Sequence, residues 1–209
     1  NISLQLGNPK LISNFFKIQV ISNFRINDIK NGGQGAPIGA YYHKYLINKF
    51  KKKSIIINIG GIANFAAIKS KNIFSSDIGP GNSIIDDLSY YYFKKKFDKN
   101  GFLSSKGKPI KKILGSFKKD DFFKKKFPKS LDRNYFDKYK KKLLKEDKYN
   151  ALSTATYMIL ISFQKFMDKK EFSFDQIILT GGGRKNKYLL KILKKYLKIN
   201  IELIDDSKI

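Results

Sequence analysis

The sequence predicts an α/β protein in two lobes, and three observations carry that prediction. Two short runs of branched apolar residues, Ser54-Ile55-Ile56-Ile57-Asn58-Ile59 and Asp175-Gln176-Ile177-Ile178-Leu179-Thr180, have the length and composition of strands buried in a sheet core. Glycine-rich turns stand at strand ends: Gly60-Gly61, Gly79 to Gly81, and Gly181-Gly182-Gly183. Segments of helical periodicity follow the last two. In an open α/β sheet, ligands gather at strand ends. Three such turns, with an acid held in a preceding lobe, suggest a nucleotide in a cleft between lobes. The lysine run 51–53 marks the boundary, giving a first lobe of residues 1–53 and a second of residues 54–209.

Residues 1–22 read as two strands, Ile2 to Leu6 and Lys17 to Ser22, separated by a short helix or loop after the turn Gly7-Asn8-Pro9. The segment Asn23 to Pro37, NFRINDIKNGGQGAP, is charged and turn-rich. It sets Asp28 at a bend between a strand and a helix, close to Arg25, and runs on through Gly32-Gly33-Gln34-Gly35. Glycines this dense are costly in backbone entropy, so the main chain must turn tightly or approach something closely. Asp28 has two readings: a general base beside a glycine-lined pocket, or a turn carboxylate bonded to its own backbone. Pro37 suits a first helical turn. Ile38, Tyr42, Tyr45 and Leu46 then give an apolar face through Phe50, and His43 on that helix reads as packed or solvent-facing.

Beyond the boundary, residues 54–59 and Ile62 to Ile68 form a hairpin across Gly60-Gly61. Such a turn has little side chain and leaves N–H groups to face a phosphate. A third strand, Asn72 to Ser76, leads through Asp77-Ile78-Gly79-Pro80-Gly81-Asn82 into a helix with Ile84, Ile85, Leu88, Tyr91 and Tyr92 inward. Glycines before a helix N-terminus suit an anion. Asp77 there either faces a metal-bound phosphate or a sugar hydroxyl, or caps the turn. Residues 98–149 read as two or three short helices and loops. Their rings and lysines fit either single-stranded nucleic-acid stacking or helices that bury aromatics and leave lysine outside. A core helix starts at Asn150 or Ser153 and repeats apolar residues at helical spacing to Met167. After strand 175–180 comes a helix from Asn186, with Leu189, Leu193, Tyr196 and Leu197 inward, and a last strand from Ile199 to Ile204.

Composition narrows the function classes. Hydrophobic residues make up 42%, enough for a core. Cysteine is absent, which excludes disulfides and thiolate metal sites and fits a reducing compartment. No apolar run approaches the ~18 residues of a membrane span, and no signal peptide opens the chain, so the expected location is the cytoplasm. Asn1 sits in what reads as mid-strand context, and the front of a longer protein is expected before it. The net charge of +26 comes from lysine runs scattered over the chain, not from one stripe or one module. It reads as compositional bias more than as nucleic-acid recognition. Neither GxxxxGK[ST] nor GxGxxG in a βαβ unit occurs, which disfavours a P-loop enzyme and a dinucleotide dehydrogenase.

Four motifs in order carry a resemblance. Asn23-Phe24-Arg25-Ile26-Asn27-Asp28 with Gly32-Gly33-Gln34-Gly35-Ala36-Pro37 closely resembles the DFRxxDvaxGGQGAP signature of the anhydro-N-acetylmuramic acid kinase family. Ile57 to Asn64 is similar to that family's LNIGGIAN, Asp77 to Asn82 to DTGPGN, and Gly181 to Leu189 to GGGxxNxxL. Gln5-Leu6-Gly7-Asn8-Pro9 also resembles QLGDP. The resemblance implies an actin-like (ribonuclease H-like) ATPase fold, two lobes closing on Mg-ATP, with the first lobe incomplete in this chain. It implies phosphorylation of 1,6-anhydro-N-acetylmuramic acid at O6, with hydrolytic opening of the anhydro bridge, in peptidoglycan recycling. It makes Asp28 the catalytic base. Arg25, Gln34, Asp77 and Asn82 become sugar-side residues, and Gly60, Gly61, Asn64, Gly181, Gly182, Gly183 and Asn186 ATP-side residues. It implies no dedicated protein metal site, no nucleic acid and no membrane, and leaves a homodimer open.

The chain departs from the family pattern at Asn23 (usually Asp), Ile78 (usually Thr) and Leu131-Asp132, which interrupt a PPKSTGR-like stretch and leave Lys129, Ser130 and Arg133. The family's first phosphate loop is absent from these residues. Competing readings are another sugar kinase of the same fold, a decayed remnant, and a basic nucleic-acid binder.

Overall fold

A computed structural model describes residues 6–33, 35–50 and 52–204. Its centre is a five-stranded sheet of β1 (Ser54–Ile59), β2 (Ile62–Lys69), β3 (Asn72–Pro80), β4 (Gln176–Thr180) and β5 (Asn200–Leu203), ordered β3-β2-β1-β4-β5. The first three strands are an antiparallel meander, and β4 and β5 join parallel to β1. Period-two alternation explains why SIIINI is buried on both sides. Ile55, Ile57 and Ile59 enter the main core with Ile177 and Leu179, while Ile56 and Ile178 face the opposite layer.

Two helical layers cover the sheet. The main layer holds α4 (Ser83–Phe93), α5 (Lys111–Lys118), α6 (Asp137–Leu143), α7 (Lys148–Asp168) and α8 (Lys187–Leu197). The core helix α7 begins at Lys148, two residues before the first expected start, because the Asp147 carboxylate accepts from the N–H groups of Tyr149 and Asn150. The other layer is α3 (Ala40–Lys49), whose Leu46 and Ile47 meet Ile56 and Ile178.

The aromatic segment resolves in favour of burial. Phe117, Phe122, Phe123, Phe136 and Tyr139 are all in the core. Buried Asp120 is their polar node: it accepts from the Tyr135 and Tyr139 hydroxyls, at 3.0 and 2.9 Å, and pairs with Lys138 at 2.6 Å. Burial pushes its pKa up, but the Lys138, Phe122 N–H, Tyr139 and Tyr135 hydrogen bonds together carry it below the ordinary value. Removing that acceptor takes the partner of the part-buried Tyr135 hydroxyl and leaves the Tyr139 hydroxyl only the Ser116 carbonyl at 3.3 Å. Asp120→Ala is expected to lower unfolding free energy by roughly 2–4 kcal/mol in urea titrations. A loss under about 0.5 kcal/mol would show the node is dispensable.

Several expectations in the first 53 residues are corrected. Ile2 to Gln5 lie outside the described residues. Lys17 to Ser22 is not a strand; it has no ladder partner among the described residues, and Ile18 and Ile21 are exposed. Instead, α1 (Pro9–Phe16) and α2 (Phe24–Lys30) flank it, α1 being capped by Asn8. Asp28 therefore sits inside α2, and the bend comes later, where Gly32 and Gly33 donate back to Ile29 and Asp28 carbonyls. Helix α3 starts at Ala40, not Pro37, and buries His43, Leu46 and Ile47, leaving Ile38, Tyr42 and Tyr45 exposed. Tyr91 and Tyr196 likewise point outward from α4 and α8, since a ring at the margin of a helical face keeps its hydroxyl wet.

Candidate functional site

The glycine turns meet at the end of β1. The carbonyl of Gly60 accepts from Asn82 N–H at 2.7 Å, and that of Gly61 from Gly81 N–H at 2.9 Å and Ser83 N–H at 3.2 Å. The Asn82 amide also donates to the Ile59 carbonyl at 3.1 Å. The amides of Gly81, Asn82 and Ser83, at the entry to α4, thus hold the hairpin and are not the ones that could face an anion. The contact explains Gly81, where a Cβ would overlap the Gly60 carbonyl. Gly181 has φ +77° and packs on Asn58 and Ile59, and a Cβ at Gly183 would overlap the Ile59 side chain. All three turns are thereby stacked on one strand end, with both hairpin carbonyls turned toward α4.

Two cavities open from this junction. One, of about 480 Å³, is lined by Asn82, Ile85, Asp86, Phe97, Asp98, Lys99, Asn100, Gly182, Gly183, Lys185 and Asn186. Asn186 also caps α8 through Leu189 N–H. The other, of about 560 Å³, is an open cleft with Gly60, Gly61, Asn58 and Asn64 on the sheet side and Arg25, Pro37, Gly39 and His43 opposite. Asp77, Leu131 and Arg133 complete it. Of the sequence-predicted residues, Arg25, Asp77, Gly60, Gly61 and Asn64 come together in the cleft. Asn82, Gly182, Gly183 and Asn186 line the first cavity instead, and Gly181 supports both from behind. Gln34 lies outside the described residues.

Asp28 does not line either cavity. Its Oδ2 accepts from Gly35 N–H at 2.7 Å, while Arg25 Nη1 donates to the Gly35 carbonyl at 2.9 Å. The two side chains one helical turn apart on α2 hold the same glycine, one on each side of it. Gly33 passes so near that a Cβ there would overlap the Asp28 carboxylate. The turn-carboxylate geometry is therefore present, and Oδ1 remains on an exposed side chain.

Asp77 is buried at the end of β3 by a strap from residues 129–131. Ser76 Oγ exchanges hydrogen bonds with Lys129 N–H and carbonyl, Asp77 N–H donates to Lys129 O, and Leu131 N–H donates to Asp77 Oδ2 at 2.7 Å. Lys129 anchors the strap from beneath, donating to Phe122 O at 2.7 Å over the Phe122 ring. Burial first, then neighbouring lysines, lower its pKa to about 8. Burial raises Asp77 to about 6 against the pull of Leu131 N–H, Arg25 and Lys129.

A folded pKa above the unfolded value means that Asp77 favours the fold below about pH 4 and loses that contribution as pH rises through 6. Asp77→Asn keeps the acceptor for Leu131 and removes the buried charge. At pH 8 the variant is expected to be more stable than the parent by about 1–3 kcal/mol, with the difference vanishing near pH 4. Paired denaturation curves at the two pH values check it; equal stability at pH 8 would mean the carboxylate is well solvated.

Sequence reasoning missed Arg133 as a cleft residue, and His43, Phe97 and Asp86. Asp86 had a signal: it stands one helical turn after Asn82, on the same face of α4. Burial, then Asp87, raises its pKa to about 6. Arg133 stands in the PPKSTGR-like stretch, and Phe97 had no signal beyond its residue type. No described helix is long and apolar enough to cross a membrane. No cluster of three or more metal-ligating side chains occurs among the described residues.

A family model described as anhydro-N-acetylmuramic acid kinase matches residues 1–207. The chain is 39% identical over 218 residues to the protein of that name from Pelagibacter ubique (strain HTCC1062), covering 100% of this chain and 58% of that one. It is 35% identical over 207 residues to the one from Gamma-proteobacterium EBAC31A08, covering 98% and 57%. The chain thus spans a little over half the length of these relatives. Among solved structures, the activator of the 2-hydroxyisocaproyl-CoA dehydratase from Clostridium difficile with bound ADPNP matches with TM-score 0.52 at 9% identity, over 79% of this chain and 59% of that one. Component A of the Acidaminococcus fermentans (R)-2-hydroxyglutaryl-CoA dehydratase matches with TM-score 0.50 at 13% identity, over 79% and 60%. These two likenesses speak to fold alone, and the fold is that of the actin-like ATPases.

Proposed function

We infer what this chain does from one premise: it belongs to the anhydro-N-acetylmuramic acid kinase family. The reading is that it forms the larger part of an ATP-dependent kinase of 1,6-anhydro-N-acetylmuramic acid. The observation that carries it is the stacking of three glycine turns on the end of β1, between a half-enclosed cavity and an open cleft. In this reading the nucleoside occupies the first cavity, with Phe97 and Ile85 as apolar walls and Gly182, Gly183 and Asn186 as the close-approach edge. The Gly60-Gly61 turn faces the phosphates in the cleft. The sugar lies beyond them, against Arg25 and Asp77. The division of labour at residue 53 follows: the segment before it carries the base and the segment after it the nucleotide.

The chemistry proposed balances as follows. Asp28 takes a proton from water, the water oxygen bonds to C1, and the C1–O6 bond breaks. O6 bonds to the γ-phosphorus of ATP as ADP leaves, giving N-acetylmuramic acid 6-phosphate. Phosphoryl transfer is mostly positioning and charge stabilisation, so a rigid turn and two arginines, Arg25 and Arg133, are the right equipment. Mg²⁺ takes one or two carboxylates together with substrate phosphates, and Asp77 is the cleft carboxylate that fits this donor set. When bound it would neutralise phosphate charge. Use of ATP together with a wall-derived sugar fits a cytoplasmic location.

The test uses the full-length product of the reading frame, Mg-ATP and the anhydro sugar in oxygen-18 water, with the product read by mass. A sugar phosphate carrying one heavy oxygen is the expected result. Phosphorylation of plain hexoses instead, with the anhydro sugar untouched, would move the chain to another sugar-kinase activity on the same fold.

A further inference from the structure

His43 is the one histidine of the chain and a cleft residue that the mechanism above does not use. It sits in the first full turn of α3, only 9% exposed. Its Nδ1 is buried without a hydrogen-bond partner among the described residues. A neutral imidazole carries one N–H and one bare nitrogen. Burying an N–H with no acceptor costs about 1–3 kcal/mol, and orphaned donors are the rarer of the two defects in folded proteins. The buried Nδ1 therefore keeps the bare lone pair, and the proton belongs on Nε2.

The other edge of the ring faces the cleft. A Cβ at Gly39 would stand 3.8 Å from Cε1 and 3.9 Å from Nε2, ordinary contact distances, and Gly39 and His43 both line the cleft. Glycine at 39 keeps that edge open. Tyr42, the nearest ring, lies 6.2 Å away at a tilt and takes no hydrogen bond from it. Burial lowers the His43 pKa, so the ring is neutral near pH 7. The charged cleft groups Arg25, Arg133 and Asp77 suit phosphate, carboxylate and cation. A neutral, fixed donor suits an uncharged oxygen.

We propose that His43 is a substrate-binding residue whose Nε2–H donates a hydrogen bond to an uncharged oxygen of the sugar in the cleft. This rests on reading the cleft as the sugar site.

Because the histidine is single, long-range proton–nitrogen NMR reads its tautomer without ambiguity in the full-length protein. The expected spectrum at pH 7 has a protonated Nε2 and a bare Nδ1. Adding 1,6-anhydro-N-acetylmuramic acid should shift the Nε2 resonance, and Mg-ADP alone should not. A ring protonated on Nδ1, or on both nitrogens, overturns the proposal. Kinetics provide the second arm. His43→Leu should raise the sugar KM about tenfold, the worth of one hydrogen bond, with the ATP KM unchanged. His43→Gln places an amide N–H near the Nε2 position and should restore the KM to within about threefold. Equal losses in both variants, or an unmoved sugar KM, also overturn it. If the parent binds and turns over the anhydro sugar while Nε2 stays silent, only this proposal falls. If the parent does not bind the sugar at all, the reading of the cleft falls with it.

Discussion

Asp28→Asn is expected to leave nucleotide affinity within about twofold and to lower turnover by roughly 10²–10⁴, the usual share of a general base. The substitution isolates the base function because the geometry around it survives. Asn presents Oδ1 where Asp presents Oδ2, so the Gly35 N–H keeps its acceptor, and Arg25 keeps the Gly35 carbonyl. Asp28 lines neither cavity, so nothing that holds nucleotide is removed. The thermal midpoint should move by no more than about 2 °C, which separates loss of a proton acceptor from loss of the loop. Single-turnover rates in the full-length protein decide the matter. A variant that retains more than a third of the parental rate would return Asp28 to the turn-carboxylate reading, for which the Gly35 bond already supplies a sufficient reason. Arg25→Ala makes a useful contrast: it removes a cleft cation as well as the clamp, so it should raise the sugar KM in addition to slowing turnover.

The strands of the sheet were legible in the sequence because their burial is dictated by composition: a strand covered on both faces must be apolar through its middle, and Ile55-Ile56-Ile57 and Ile177-Ile178-Leu179 are. The glycine turns were legible for the same reason that they exist, namely backbone approaching backbone. What failed depended on partners distant in the chain. Lys17 to Ser22 has the residues of a strand, but a strand is a pairing, and no neighbour offers one among the described residues. Helix α3 carries apolar residues on every side, so its own composition could not choose a face; the sheet chose the one bearing His43. Asp77 was recognised as a motif residue, yet its depth comes from a strap 54 residues away in sequence, through Leu131. The α4 N-terminus read as an anion site because its local pattern is right. Only the fold shows that the amides of Gly81, Asn82 and Ser83 at its entry are taken by the hairpin carbonyls.

Gly81→Ala should be among the most damaging small substitutions in the chain, although Gly81 is not in the left-handed region that requires glycine for backbone reasons. The added methyl would overlap the Gly60 carbonyl and press on that of Gly61. Both atoms are backbone and cannot swing aside, so the hairpin must lift from α4. Lifting it strains or breaks the bonds from Gly81, Asn82 and Ser83 N–H groups and from the Asn82 amide. Overpacking together with the weakening of some of these hydrogen bonds gives a loss of roughly 2–7 kcal/mol. In the proposed reading the displaced turn faces the phosphates, so ATP affinity should fall at least tenfold in the same variant. Gly115→Ala is the matched control. Gly115 lies inside α5 with nothing within 4 Å of its would-be Cβ, and alanine there should stabilise by about 0.5–1 kcal/mol through helix propensity alone. Urea titrations and nucleotide titrations on the pair read both effects. If Gly81→Ala unfolds with the parent and binds ATP as tightly, the hairpin is not held by α4, and the stacked-turn basis for the kinase reading goes with it.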